Sequence, residues 1–208
     1  MKTFLVANPK GGSGKTTLAT NLAGYLSSRG LHVALSDMDR QESSLSWLER
    51  RSVDLPIIHG LNGRNGHLSS MSAHMNVIDS PAGLRGEKLS DAVKAADWVI
   101  VPMQSSSFDI NATQDFLEVL KEEKSVRKGK AFVAMVGMRV DRRTKSAARL
   151  EQYLAETDFP VKAYLSDAQI YQHCAEIGAT IFDIQPSKAN KHIAQWVDLL
   201  NWLEVYKP

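Results

Sequence analysis

The sequence predicts an α/β fold, a mostly parallel, twisted sheet with helices on both faces. Three observations predict it. Short segments such as Phe4-Leu5-Val6-Ala7 and Trp98–Pro102 are apolar throughout, as strands covered on both faces must be. They alternate along the chain with stretches of helical periodicity. A glycine-rich turn separates the first strand from the first helix, and the acidic motifs fall just after later strands, at the ends where such sheets hold ligands.

Taken in order, Phe4–Ala7 reads as a strand and Thr16–Arg29 as a helix, with Leu18, Leu22 and Leu26 on one stripe and Gly30 as its stop. His32–Ser36 is the second strand and Ser43–Arg51 a helix. Met75–Asp79 and Trp98–Pro102 are strands with a helical Leu89–Ala96 between them. Asn111–Lys124 is a helix, Ala131–Val136 a strand, Thr144–Glu156 a helix and Val161–Leu165 a short strand. Ser187–Val205 closes the sequence as one amphipathic helix. Gly60–His74, with three glycines and two histidines, reads as a mobile surface segment.

The 208 residues suit one domain spanning 1–208, long enough to bury roughly 70% of its unfolded surface without a covalent staple. A net charge of +2 excludes a chain that coats nucleic acid by bulk charge, so any polyanion must be met by local clusters. Cys174 is the one cysteine, which excludes an internal disulfide, a Cys-based zinc site and a self-contained Cys-ligated iron–sulfur cluster. No apolar run approaches the ~18 residues of a membrane span, and Met1–Pro9 has no signal-peptide core. The expected location is cytoplasmic.

Asn8-Pro9-Lys10-Gly11-Gly12-Ser13-Gly14-Lys15-Thr16-Thr17 follows a strand and opens a helix, the context a phosphate-binding loop requires. Its glycines let the backbone curl so that N–H groups point inward at phosphate oxygens, and the helix N-terminus adds a favourable dipole. In such a loop Lys15 reaches the β- and γ-phosphates and Thr16 sets its hydroxyl on Mg²⁺. The fold expected is therefore that of a P-loop NTPase. Pro9 stands where the strict GxxxxGK[ST] pattern has glycine. Lys10 is an extra cation at the loop mouth, where charge gathers in the transition state. From there it could serve a facing subunit, as an arginine finger does in trans.

Two acidic motifs follow. Asp37-Met38-Asp39-Arg40-Gln41 ends the second strand, and carboxylates spaced i, i+2 there could serve Mg²⁺ and the attacking water. Val77-Ile78-Asp79-Ser80-Pro81-Ala82-Gly83 runs from strand to acid to turn. Asp79 is placed to hold Mg²⁺ through water, and Gly83 is a hinge able to sense a γ-phosphate.

Lys10-Gly11-Gly12-Ser13-Gly14-Lys15-Thr16-Thr17 resembles the deviant Walker A box of the ParA/MinD ATPases, and Pro9 is common in the ParA branch. The resemblance runs with specific motifs from Lys2 to about Arg139. It implies ATP and Mg²⁺ as cofactors, slow hydrolysis without a partner, and an ATP-sandwich homodimer in which Lys10 contacts the partner's nucleotide. Asp37–Gln41 resembles the family's DxDxQ switch I, which gives Asp39 the water-orienting role and Asp37 a place with Thr16 and Asp79 at the metal. Arg40 departs from the proline common there. Asp79–Gly83 resembles switch II. Arg139, after Val136-Gly137-Met138, and Pro186, after Gln185, stand where the family lines the adenine base.

Arg139, Arg142, Arg143, Lys145 and Arg149 crowd one stretch, and Arg142, Lys145 and Arg149 are spaced for one helix face; Lys188 and Lys191 open the last helix. Such clusters are either solvated helix faces or phosphate contacts made by counterion release. The resemblance implies non-specific nucleoid DNA binding by the ATP dimer, and a ParB-like adaptor that links a cargo and stimulates hydrolysis. Compact ParA-type proteins of this length serve small plasmids or stand as orphans that position carboxysomes or protein clusters. Two rivals stay open. A MinD-like protein would cycle on membranes through the last helix, although packing of Trp196 and Trp202 on the sheet is the plainer reading. A ligase of the dethiobiotin-synthetase type would need a carboxylate-binding pocket.

Overall fold

The computed structural model describes residues 1–63, 73–141 and 143–203, with residues 107–111 as backbone. The elements run β1 (Lys2–Val6), α1 (Lys15–Ser28), β2 (Val33–Asp37), α2 (Ser43–Glu49), β3 (Ile58–Asn62), β4 (Met75–Asp79), α3 (Gly86–Ala95) and β5 (Trp98–Met103). They continue α4 (Ser107–Glu122), α5 (Lys124–Arg127), β6 (Phe132–Gly137), α6 (Lys145–Ala155), β7 (Val161–Tyr164), α7 (Gln169–Glu176), α8 (Pro186–Ile193) and α9 (Val197–Trp202). A seven-stranded sheet has the order β3-β2-β4-β1-β5-β6-β7, and every pairing is parallel. The α/β reading holds.

Alternation along β1 builds the two layers. Phe4 and Val6 face the cluster that holds Leu18, Leu22 and Leu26 of α1 and Leu199 and Leu200 of α9. Leu5 and Ala7 face the cluster of Leu89 (α3), Leu117 (α4) and Leu150 (α6). β1 is central: the chain leaves it for β2, two places away, and later crosses from β4 back past β1 to β5. The crevice at such a switch point, beyond the strand ends, is where this architecture binds ligands. Register does further work there, since Asp37 pairs across the ladder with Asp79 and Asp79 with Val6.

Three expectations need correction. The segment expected as surface loop from Gly60 begins inside β3, an edge strand; its later part, 64–72, lies outside the described residues. Only Ile58 of β3 is buried, so no apolar run announced it. Helix α7 was unforeseen for the same reason, because Cys174 is its one buried residue. The single closing helix is α8, a 3-10 turn Ala194–Trp196, and α9. Trp196 sits at that break, fully buried, with its indole N–H donating to the Tyr171 hydroxyl at 3.0 Å and its ring edge-on to Phe182. Trp202 packs against the same core. No helix among the described residues is long and apolar enough to cross a membrane.

One clamp fixes α2, the helix that follows the first acidic motif. Arg51, just beyond it, makes a paired contact with Asp183 at 2.9 and 3.1 Å and donates to the Gly178 carbonyl at 3.2 Å. Both side chains of the pair are almost wholly buried. Asp183 also accepts from the Thr180 N–H and hydroxyl, and the Trp47 indole donates to the Ala179 carbonyl. Removing one partner strands a buried charge, which costs several kcal/mol. Arg51→Ala should lower stability by about 3 kcal/mol in urea unfolding; a loss under about 1 kcal/mol would show that the clamp contributes little.

Candidate functional site

The loop from β1 to α1 curls back on itself. Gly12 and Gly14 have φ of 75° and 97°, which only glycine adopts without strain. A side chain on Gly14 would also strike Met138, whose Cε lies 2.8 Å from where its Cβ would stand. Gly11 and Gly12 are exposed and face open space. Inside the curl the Lys15 ammonium donates to the Lys10 carbonyl at 2.7 Å, and the Ser13 hydroxyl donates to the same carbonyl at 3.2 Å. Burial pulls the Lys15 pKa down, and Asp79 and Asp39 oppose that pull. Thr16 and Thr17 occupy the first turn of α1.

The acidic residues converge on this loop from β2 and β4, but in different states. Asp37 is fully buried and its oxygens are occupied. Oδ2 accepts from the Ser44 N–H, the Ser44 hydroxyl and the Leu45 N–H, which ties down the start of α2; Oδ1 accepts from the Asp39 N–H. Asp79 is 2% exposed, is hydrogen-bonded to the Thr16 side chain, and has an Oδ1 without a hydrogen-bond partner. A buried carboxylate oxygen left open beside a hydroxyl fits a hard divalent cation such as Mg²⁺. Asp39 is half-buried and accepts from the Gln41 N–H at 3.0 Å.

One cleft of about 1370 Å³ has Lys15, Thr16, Asp39, Asp79, Arg40 and Lys88 around it, and Asp37 lies behind its wall rather than in the lining. That volume exceeds the roughly 300–1,000 Å³ a small ligand usually fills. Lys10 is half-buried at the loop mouth and is not part of the lining. Arg139 and Pro186 also stand outside it. Arg139 has the left-handed φ of 54°, unusual for a residue with a side chain, and its guanidinium pairs with Asp167 at 3.0 and 3.4 Å. It adjoins Met138, the side chain that touches the loop at Gly14.

The basic residues do not form one face. Arg142 lies outside the described residues, and α6 begins only at Lys145, capped by the Thr144 hydroxyl, which accepts from the Ala147 N–H. Lys145 and Arg149 are exposed on α6. Lys188 and Lys191 are exposed on α8. The α6 core residues belong to one face of the sheet, and Ile193, at the end of α8, packs in the cluster on the other. Arg143 is paired with Asp141 at 2.8 Å.

Five hydrogen bonds escaped the sequence reading. Asn8 donates to the Pro102 carbonyl and the Thr113 hydroxyl and accepts from the Lys10 N–H. The Gln104 amide donates to the Gly12 carbonyl at 2.5 Å. The Gly83 N–H donates to the Pro9 carbonyl at 2.9 Å. Gln104 directly follows β5, and strand ends on this rim are the signal that could have found it.

Residues 4–195 match the CobQ/CobB/MinD/ParA nucleotide-binding domain. The chain belongs to that family. A curated member is the maintenance of carboxysome distribution protein A of Halothiobacillus neapolitanus, 24% identical over 88% of this chain and 87% of its own length. The chromosome-partitioning ATPase Soj of Thermus thermophilus is 30% identical over 59% of this chain and 62% of its own. Among solved structures, apo McdA of Cyanothece superposes with a TM-score of 0.74 at 18% identity, covering 96% of this chain and 99% of that one. MinD of Aquifex aeolicus gives 0.71 at 17% identity, covering 100% and 98%. The family's members of this type are nucleotide-binding ATPases, and this chain carries their P-loop fold.

Burial pushes the Asp79 carboxyl up from its ordinary 3.8 to about 7; the Thr16 hydroxyl and Lys15 pull it back, while Asp37 and Asp39 add to the rise. The folded chain thus binds a proton here that the unfolded chain releases above 3.8, and stability falls as pH rises from about 4 to about 7. In EDTA, Asp79→Asn should be more stable than the parent at pH 8 by up to about 4 kcal/mol, with the difference nearly gone at pH 4. Equal urea midpoints at pH 8 would show that the carboxyl is not held at that cost.

Proposed function

We propose that this chain is a single-domain ParA-type ATPase that closes an ATP-sandwich homodimer, holds nucleoid DNA without sequence preference, and positions an intracellular cargo. The observation that carries the proposal is a phosphate loop that bears Lys10 at its mouth and opens on a cleft where Lys15, Thr16, Asp39 and Asp79 converge. A second copy facing the first supplies the rest of the wall. Lys10 does not line its own cleft, which suits a lysine that serves the nucleotide opposite.

Within each site the loop from Gly11 to Gly14 turns its N–H groups to the β- and γ-phosphates, and Thr17 follows at the α1 N-terminus. Lys15 leaves the Lys10 carbonyl for the phosphate oxygens. Thr16 and Asp79 would hold Mg²⁺, which would supply positive charge to neutralise the phosphates. Asp39, on the flank of the cleft, orients the attacking water. Asp37 acts at one remove: it anchors α2 and the Asp39 N–H, so it fixes the geometry of the water-orienting segment. Arg139 and Pro186 flank the base. Without an activating partner protein hydrolysis is slow, and an adaptor of the ParB kind accelerates it and releases the dimer.

DNA contact falls to Lys145 and Arg149 on α6 and Lys188 and Lys191 on α8, with Arg142 beside them in sequence. Lys145 opens α6 and Lys188 lies in the first turn of α8, where a cation opposes the helix dipole. Their placement gains nothing for the helices and suits a phosphate, which both the lysine and the helix N-terminus attract. Burial of Trp196 supports this reading over membrane cycling. The carboxysome-distribution relative, similar over most of its length, makes the carboxysome a leading cargo, beside plasmids and protein clusters. The location proposed is cytoplasmic and nucleoid-associated.

The test is retention on non-specific duplex DNA with ATP, ADP or no nucleotide across a salt series. Retention should require ATP and fall steeply with salt, and Arg149→Ala with Lys188→Ala should flatten that slope. Lys15→Ala should abolish ATP-driven dimerisation. Asp39→Ala should bind ATP, remain a dimer and lose about 10²-fold or more in turnover. Normal hydrolysis by Asp39→Ala would remove it from the role of orienting the water.

A further inference from the structure

We propose that Asn8 is a positioning residue that aims Lys10, and that it does so by bracing the mouth of the phosphate loop against α4. This rests on the reading of Lys10 as a cation delivered to a second subunit. Asn8 is 1% exposed and all of its side-chain bonds are internal. Its Oδ1 accepts the Lys10 N–H at 2.8 Å. Its Nδ2 donates to the Pro102 carbonyl at 2.8 Å and to the Thr113 hydroxyl at 3.1 Å. Pro102 belongs to β5, and Thr113 is a fully buried residue of α4. One carboxamide therefore ties the Lys10 backbone to a strand and to a 16-residue helix.

The Lys10 peptide frame is held from both sides. Asn8 holds the N–H, and the Lys15 ammonium and Ser13 hydroxyl hold the carbonyl. A nucleotide draws Lys15 away to its phosphates. The Asn8 bond then remains to fix the backbone from which the Lys10 side chain reaches out. A long lysine side chain delivers its charge across an interface only if its root is fixed, because the torsional freedom of an unanchored root is lost on every association. Nucleotide binding within one subunit depends on Lys15, Thr16 and the loop N–H groups instead. Asn8 is thus expected to matter for ATP-driven dimerisation and turnover while leaving ADP binding by the monomer alone. Its partner Thr113 makes α4 part of the same device.

The experiment compares the parent, Asn8→Ala, Thr113→Val and Lys10→Ala, each alone, and Asn8→Ala combined with Lys10→Ala. ADP affinity is measured by fluorescence with a labelled ADP, and dimerisation in ATP by sedimentation. Asn8→Ala should leave the ADP Kd within about threefold and weaken the ATP dimer at least about tenfold. Thr113→Val, isosteric and remote from the nucleotide, should act in the same direction by a smaller factor and guards against a folding defect in Asn8→Ala. The double variant should be no worse than Lys10→Ala, because Asn8 acts through Lys10. The proposal is overturned if Asn8→Ala and Thr113→Val dimerise like the parent, if ADP binding and dimerisation fall together, or if the two losses add. A parent chain that stays monomeric in ATP overturns the dimer reading itself, and this proposal with it.

Discussion

The rim of the sheet depends on one constraint: the backbone between Asn8 and Lys15 must turn its N–H groups inward and still be held rigidly. Helix α1 starts with donors that have no partner inside the helix. The left-handed Gly12 and Gly14 let the preceding chain close round the space those donors face. A turn with so much freedom in its glycines would be floppy without outside support. The phosphate-facing part is supported by Gln104 through the Gly12 carbonyl and by Gly83 through the Pro9 carbonyl, while β5 and α4 act through Asn8 on the Lys10 end at its mouth. Pro9, the departure from the usual glycine, lacks an N–H, and its carbonyl is the link to the second acidic loop.

The two buried aspartates show how one chemical group takes two roles by environment. They pair in register on adjacent strands, so the sheet sets them side by side. Asp37 is surrounded by donors from the start of α2 and is fully used by the fold. Asp79 shares the Thr16 hydroxyl and keeps an oxygen open, which is costly in a dry site unless a cation joins it. The two carboxylates expected together at the metal thus differ in what occupies them: Asp79 has an open oxygen, and Asp37 anchors the segment that carries Asp39. The Arg51–Asp183 clamp holds the other end of α2, so both ends of that short helix are fixed.

The surface tells a looser story than the loop. The basic residues that crowd the sequence are split between helices on opposite faces of the sheet, one group on α6 and the other on α8. Relatives and neighbours with this fold are named for carboxysomes, chromosomes, plasmids and cell division. A fold hosts many functions, and function is carried by the sites grafted onto it.

Local chemistry determined what could be read directly from the residues. Apolar runs flanked by helical stripes are visible because a strand covered on both faces cannot hide its composition, so β1, β2, β4, β5 and β6 were legible, and with them the α/β layers. Gly-Lys-Thr after β1 and aspartates after β2 and β4 were legible because phosphate and cation chemistry restricts the residue types at those points. β3 and α7 were not, because each buries a single side chain and carries no periodic signal. Neither was the break at Trp196, which comes from a bulky ring seeking Tyr171 and Phe182 on other segments. Tertiary structure alone decided that Asp37 serves the fold while Asp79 stays open, and that Asn8 joins Lys10 to Thr113. Those outcomes depend on which partners the fold brings up, from Ser44 beside Asp37 to Thr113, the acceptor 105 positions from Asn8, and no local pattern records that pairing.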